Sequence, residues 1–179
     1  MPAPGKPGDK ASAKAPRAAA ADAGDIRPAN QRGAARLAAV QALYQMDVGR
    51  QTLEDTLAQF NAHHLGREIE GEQYLPADAD FFRQIVKGVI KSQLDIDPSI
   101  DNALDRGWPM ARIDATLRAI LRAGTFELLR RRDIPSGVVI SEYVDIARAF
   151  YDDDAPGMVN GVLDAIARQA AASAEQASP

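Results

Sequence analysis

The sequence predicts an all-α protein, and three observations carry that prediction. Apolar residues return at three- and four-residue intervals along most of the 179-residue chain. No stretch alternates apolar and polar residues for long enough to form a strand; Val138-Val139-Ile140 has β propensity, but the helical repeat around it outweighs three residues. Proline, glycine and capping residues stand where the periodic segments stop. At roughly 100–200 residues per domain, the length fits one domain.

Seven helical segments follow in order. Asn30 is placed to cap the first, whose stripe is Leu37, Val40, Leu43 and Tyr44. Thr52 followed by Asp55 resembles a capping box, and Leu53, Leu57 and Phe60 give the second stripe. From His64 to Pro76 the polar run reads as a loop. Phe82, Ile85, Val86 and Val89 begin the third helix, with Ile90 and Leu94 extending its apolar side. Asp97-Pro98 reads as a stop and restart, which places a short fourth helix over Ser99 to Asp105. Gly107-Trp108-Pro109 breaks it, with Trp108 wedged at the break. The fifth stripe is the longest: Ile113, Leu117, Ile120, Leu121, Gly124 and Leu128, closed by Arg130-Arg131-Arg132, cations that suit a helix C-terminus. After a turn over Asp133 to Gly137, Val139, Tyr143, Ile146 and Phe150 mark the sixth helix. Met158, Val159, Val162, Leu163 and Ile166 mark the seventh, where Asn160-Gly161 reads as a close approach to a neighbour.

The two ends differ from this body. Residues 1–29 hold prolines at 2, 4, 7, 16 and 28 and, after Met1, Ile26 as their one large aliphatic residue; such a stretch buries too little to offset chain entropy and is expected to be disordered. It carries a net +2, leaving −6 on the other 150 residues. Such an arm serves either as a solubilising extension or as a cationic contact for nucleic acid. Residues 170–179, small and polar, are expected to fray. The folded domain is therefore expected over residues 30–169.

Composition removes several function classes. With no cysteine there is no disulfide, thiolate metal site or cysteine nucleophile, which also fits a reducing cytoplasm. No apolar run approaches the roughly 20 residues of a membrane span, and the N-terminal arm lacks the apolar region of a secretory signal. His63 and His64 are adjacent, so on a helix they face different ways and make a poor metal pair. The acids Asp152-Asp153-Asp154 could gather Mg²⁺, but ahead of Pro156 they more simply complement a helix N-terminus. Nucleotide-binding and hydrolase motifs are absent. No catalytic group emerges and no cofactor is implied, so the chain reads as a binding protein rather than an enzyme.

Among binding features, Arg32 and Arg36 stand four apart, on one helix face just after the cationic arm. Arginine offers a planar fork for phosphate and a surface that stacks on bases, although a solvated helix face would look the same. Arg118 and Arg122 repeat the spacing on the fifth helix. Tyr44 and Trp108 read most simply as core aromatics.

Five blocks now carry a resemblance: R-L-A-A-V-Q-A-L-Y-Q-M-D from Arg36, F-F-R-Q-I-V-K-G-V, L-R-A-I-L-R-A-G-T-F-E-L-L from Leu117, D-I-P-S-G-V-V-I-S-E-Y-V-D-I-A-R-A-F, and M-V-N-G-V-L-D from Met158. In this order and spacing they resemble the NusB family of bacterial transcription antitermination factors over roughly residues 30 to 169. The resemblance implies seven helices in two packed sub-bundles. It implies pairing with the small-subunit ribosomal protein NusE and joint binding of boxA, a single-stranded RNA element in nascent ribosomal RNA transcripts. The complex then helps RNA polymerase read through terminators.

Carried over by position, Arg32 and Arg36 match the family's RNA-contacting arginine cluster, thinned here because Gly33 and Ala34 stand where relatives have further arginines. Lys14, Arg17 and Arg27 on the arm could compensate. Asp154 and Met158 match RNA-associated positions at the start of the last helix. Tyr44 matches a tyrosine near the NusE-facing side, and Arg118 and Arg122 match a basic pair there, with Leu117 in place of the family's acid. If about four phosphates were neutralised, log K would fall against log salt with a slope near −3. The anionic body implies that the chain alone binds boxA poorly and the NusE heterodimer binds it well. Two other readings stand beside this one. RNA cytosine methyltransferases that begin with a NusB-like domain need a reactive cysteine, absent here. A helical adaptor or homodimer without RNA contact would use the same exposed faces.

Overall fold

Among the described residues of the computed structural model, which are 28–63, 77–105, 107–152 and 154–177, the chain forms six α-helices and one 3-10 turn and no strand. The helices are α1 Pro28–Gly49, α2 Leu53–His63, α3 Ala79–Ala103, α4 Ala115–Arg130, α5 Ser136–Phe150 and α6 Asp154–Gln176, with the turn at Met110–Arg112. The all-α expectation holds, and Val138-Val139-Ile140 is helical within α5.

Local chemistry sets several of the boundaries. The Thr52 hydroxyl accepts from the Asp55 N–H at 3.2 Å and donates to the Asp55 carboxylate at 2.8 Å, which caps α2. The Asp78 carboxylate accepts from the Phe81 N–H at 3.0 Å ahead of α3. Asp114 does the same for α4, accepting from Thr116 and Leu117 at 2.8 and 3.2 Å. Arg50, at φ 53°, takes the left-handed conformation just after the end of α1.

α4 lies at the centre. It packs against α1, α3, α5 and α6, while α5 and α6 pack on each other and α2 rests on α1 and α3. The two groups of helices are thus joined through α4 around one continuous core. Ala35, Ala38, Ala39 and Ala42 form the buried face of α1, and their small side chains let neighbouring backbones come near. Two glycines permit the tightest contacts. A Cβ on Gly88 of α3 would sit 2.1 Å from the Phe126 ring of α4, and one on Gly124 would sit 2.9 Å from Leu163 Cδ1 of α6.

Several expectations are corrected. Helix α3 runs unbroken through Pro98, so the expected third and fourth helices are one. Pro98 is exposed, and the carbonyl it cannot bond belongs to Leu94, which is 92% exposed, so water can serve it; Ile96 and Ile100 anchor both sides in the core. Consequently Ile90 and Leu94 face outward instead of extending the apolar side. Gly161 meets nothing within 4 Å of a built Cβ, so the close approach expected there is made at Gly124. Trp108 is 60% exposed and not wedged. α1 starts at Pro28, two residues before the expected Asn30 cap. α6 continues to Gln176, where fraying was expected from 170, because its alanine-rich end has high helix propensity. The expected arm up to residue 27 and the expected loop over 64–76 lie outside the described residues.

Candidate nucleic-acid interface

The first turns of α1 carry Arg32 and Arg36, and the structure separates them. Arg32 is exposed, its guanidinium carbon 5.0 Å from the centroid of the Phe81 ring on α3. Arg36, one turn later, is 3% exposed. Its Nε donates to Glu127 Oε2 at 2.8 Å and its Nη2 to Glu127 Oε1 at 3.2 Å. Glu127 is fully buried on α4. Nη1 of Arg36 also lies 3.4 Å from Glu142 of α5. The expectation that Arg36 meets RNA beside Arg32 is therefore corrected: its charge is spent inside the fold, because α1 lies against α4 where Glu127 demands a cation. Burial alone would lower the Arg36 pKa, but the hydrogen bond and charge of Glu127 outweigh it and raise it. Beside this pair the fully buried Tyr143 hydroxyl makes no hydrogen bond of good geometry. Its pKa is pushed well up, first by burial and then by the negative charge of Glu127.

Phe81 is the hub of this edge. The Asp78 cap starts α3 beside α1, since the Asp78 N–H donates to the Gln31 carbonyl at 3.1 Å. That places the Phe81 ring among three guanidinium groups: Arg32 at 5.0 Å, Arg36 at 5.1 Å and Arg131 at 5.3 Å. Arg131 is the C-cap residue of α4. Its fork meets Asp133 through two bonds of 2.9 Å, and its Nη1 donates to Gln84. The hydrogen bond from Arg131, aided by the charges of Arg131 and Arg32, lowers the Asp133 carboxyl to about 2.

Asp154 is exposed in the first turn of α6, and Met158 is half-buried against the core one turn later. The α6 helix packs mainly on α4 and α5 and the α1 helix on α3 and α4, so these two residues and Arg32 belong to groups that α4 joins. Asp154 opens α6, as an acid at a helix start would, while Asp153 lies outside the described residues. Of the adjacent histidines, His63 ends α2 and His64 lies outside the described residues.

At the far end of α1 the chemistry differs. Tyr44 is 40% exposed and not a core aromatic; Leu37 and Val48 are exposed on the same helix, as are Ile90 and Leu94 on α3. A shallow groove between these helices is lined by Leu43, Met46, Val89, Ile90 and Arg122. Arg118 donates to Asp47 at 3.0 Å and to the Ile113 carbonyl at 2.6 Å. Arg122 grips Asp97 through two bonds of 2.9 Å. The basic pair thus ties α4 to α1 and α3, and Leu117 is buried in the core. Sequence reasoning missed Phe81, Glu127, Arg131 and Asp133. For Glu127 a signal existed: a carboxylate on the apolar stripe of the fifth segment requires a buried cation.

Comparison with known proteins adds four findings. Residues 33–168 match the NusB family. The transcription antitermination protein NusB of Bradyrhizobium sp. (strain ORS 278) is 64% identical over 143 residues, covering 80% of this chain and 85% of that protein. Among solved structures, NusB of T. maritima shares the fold with TM-score 0.64 and 29% identity over 77% of this chain and 91% of its own. A chain in the crystal structure of antitermination factors NusB and NusE in complex with dsRNA has TM-score 0.65 at 23% identity, over 78% of this chain and 98% of its own, a likeness of fold.

Proposed function

We propose, from the premise that this chain belongs to the NusB family of non-catalytic transcription antitermination factors, that it pairs with NusE and with it binds boxA-type single-stranded RNA. In this reading the pair joins the RNA polymerase antitermination complex in the cytoplasm and promotes passage through terminators. The observation that carries it is Arg32, exposed at the start of α1 and braced on Phe81 while its neighbour Arg36 anchors the helix from within. A braced guanidinium loses little freedom when it meets a phosphate or a base, which favours binding. A NusB chain of the same fold has been solved with NusE and double-stranded RNA, which gives such an assembly a precedent. Asp154, exposed, and Met158, half-buried one turn later, are proposed as further RNA contacts at the start of α6. Tyr44, with Arg122 lining the α1–α3 groove and Arg118 bonded to Asp47 of its lining, is proposed as the NusE-facing side.

With Arg36 internal, the isolated chain offers fewer cations than its sequence suggests. Its boxA affinity should be weak and its salt slope shallower than about −3. The test is a salt-series titration of a boxA-like oligonucleotide, single-stranded and as a duplex, with and without NusE. Tight single-strand binding only with NusE supports the proposal, and equal binding with and without it sinks it. The exposed apolar residues Leu37, Tyr44 and Val48 favour one second reading, self-association through that face. Sedimentation of the chain alone checks it: a concentration-dependent dimer that NusE does not displace would favour an adaptor.

A further inference from the structure

We infer that Arg131 is a further phosphate-binding residue of the RNA edge, and that Asp133 occupies its fork in the free protein as a stand-in for the phosphate. This inference rests on the RNA-binding role proposed above. Arg131 and Arg32 each lie within 5.3 Å of the Phe81 centroid, so their charges stand within about 11 Å of each other. They come from the C-cap of α4 and from α1, so the edge continues across the ring onto the α4–α5 turn. The two parallel bonds from Arg131 to Asp133 have the fork geometry that arginine uses for phosphate. The Asp133 side chain is 60% exposed against 20% for Arg131, so the carboxylate lies on the solvent side of the fork, where an ion pair is weak enough to exchange for another anion. When the carboxylate leaves, the Phe81 ring and the side-chain amide oxygen of Gln84 still hold the guanidinium plane, so it stays in place for the incoming oxygen pair. Beside it Arg132 is exposed and makes no ion pair among the described residues, which adds attraction for a polyanion. The other negative groups facing Arg131 do not compete for its fork. Glu127 is neutralised by Arg36, and Asp78 caps α3.

In the free protein, then, Asp133 masks one cation and lowers non-specific attraction, and a well-placed phosphate displaces it. The experiment is a salt-series titration of a boxA-like single-stranded oligonucleotide with the full chain and NusE, comparing Asp133→Asn, Arg131→Gln, the double variant and Arg32→Gln, with melting curves as fold controls. Asp133→Asn should tighten binding about three- to tenfold at low salt and steepen the slope by up to about 0.7, one further phosphate on a single strand. Arg131→Gln should weaken binding about fivefold, and in the double variant the gain from Asp133→Asn should vanish. If Asp133→Asn and Arg131→Gln both stay within twofold of the parent while Arg32→Gln weakens binding, this inference is wrong and the RNA-binding role stands. If the parent with NusE binds no RNA, both fall.

Discussion

An arginine pair spaced four apart stands at each end of α1, with opposite outcomes. At the N-terminal end Arg36 is sealed against the fully buried Glu127, while Arg32 four residues earlier stays exposed over Phe81. At the C-terminal end Arg118 and Arg122, with the same spacing, are both held by acids at the protein surface, Asp47 and Asp97. Spacing alone gives two arginines one helix face; what decides their use is whether a neighbouring helix covers that face. The N-terminal end is therefore rigid inside and cationic outside. The C-terminal end is neutralised in charge and apolar around Tyr44, suited to a protein rather than to a polyanion.

That contrast can be broken most severely at its buried member. Glu127→Ala leaves the Arg36 charge in the core with only the longer contact to Glu142, and should cost about 3–5 kcal/mol, read as a lower urea midpoint. Replacing Arg36 and Glu127 together with Met and Leu should recover most of that loss. Next, Gly88→Ala drives a methyl into the Phe126 ring and should cost about 1–3 kcal/mol in the same assay. At the other end, Tyr44→Ala should leave stability within about 0.5 kcal/mol and weaken NusE binding by more than about 1 kcal/mol, measured by titration calorimetry. Arg122→Ala, which breaks a partly exposed pair with Asp97, should cost no more than about 1 kcal/mol of stability. The smallest effect is in acid. Because the Asp133 carboxyl lies at about 2 in the folded chain against an ordinary 3.8, its contribution is complete above about pH 4 and is lost as pH falls toward 2. Acid melting curves of Asp133→Asn should lack that component.

Much of the fold was legible because the helical period reports which side of a helix is apolar. Val40 and Leu43, Ile85, Val86 and Val89, Val139 and Tyr143, and Val159, Val162, Leu163 and Ile166 are all buried as expected. The errors occur where the answer depends on a neighbour. Pro98 reads as a break because its missing N–H is visible in the sequence, whereas the solvent that tolerates the loss is not. Asn160-Gly161 and Gly124 look alike as helical glycines, and only packing tells which one a leucine approaches. At the candidate site, Arg32 was legible as a cation beside the arm, but Arg36 could be assigned inward only by pairing it with Glu127. Asp133 reads only as part of a turn, since its grip on Arg131 depends on how α4 ends.

The bond between Arg36 and Glu127 spans 91 positions of the chain. On a ribosome adding roughly 5–20 residues per second, the arginine waits about 5–20 s for its glutamate to be made, and longer for it to leave the exit tunnel. Until then α1 has no inner anchor and Phe81 no settled set of cations. A nascent or prematurely terminated chain would therefore lack a formed edge for nucleic acid, and competence would arrive late in translation as a single cooperative event.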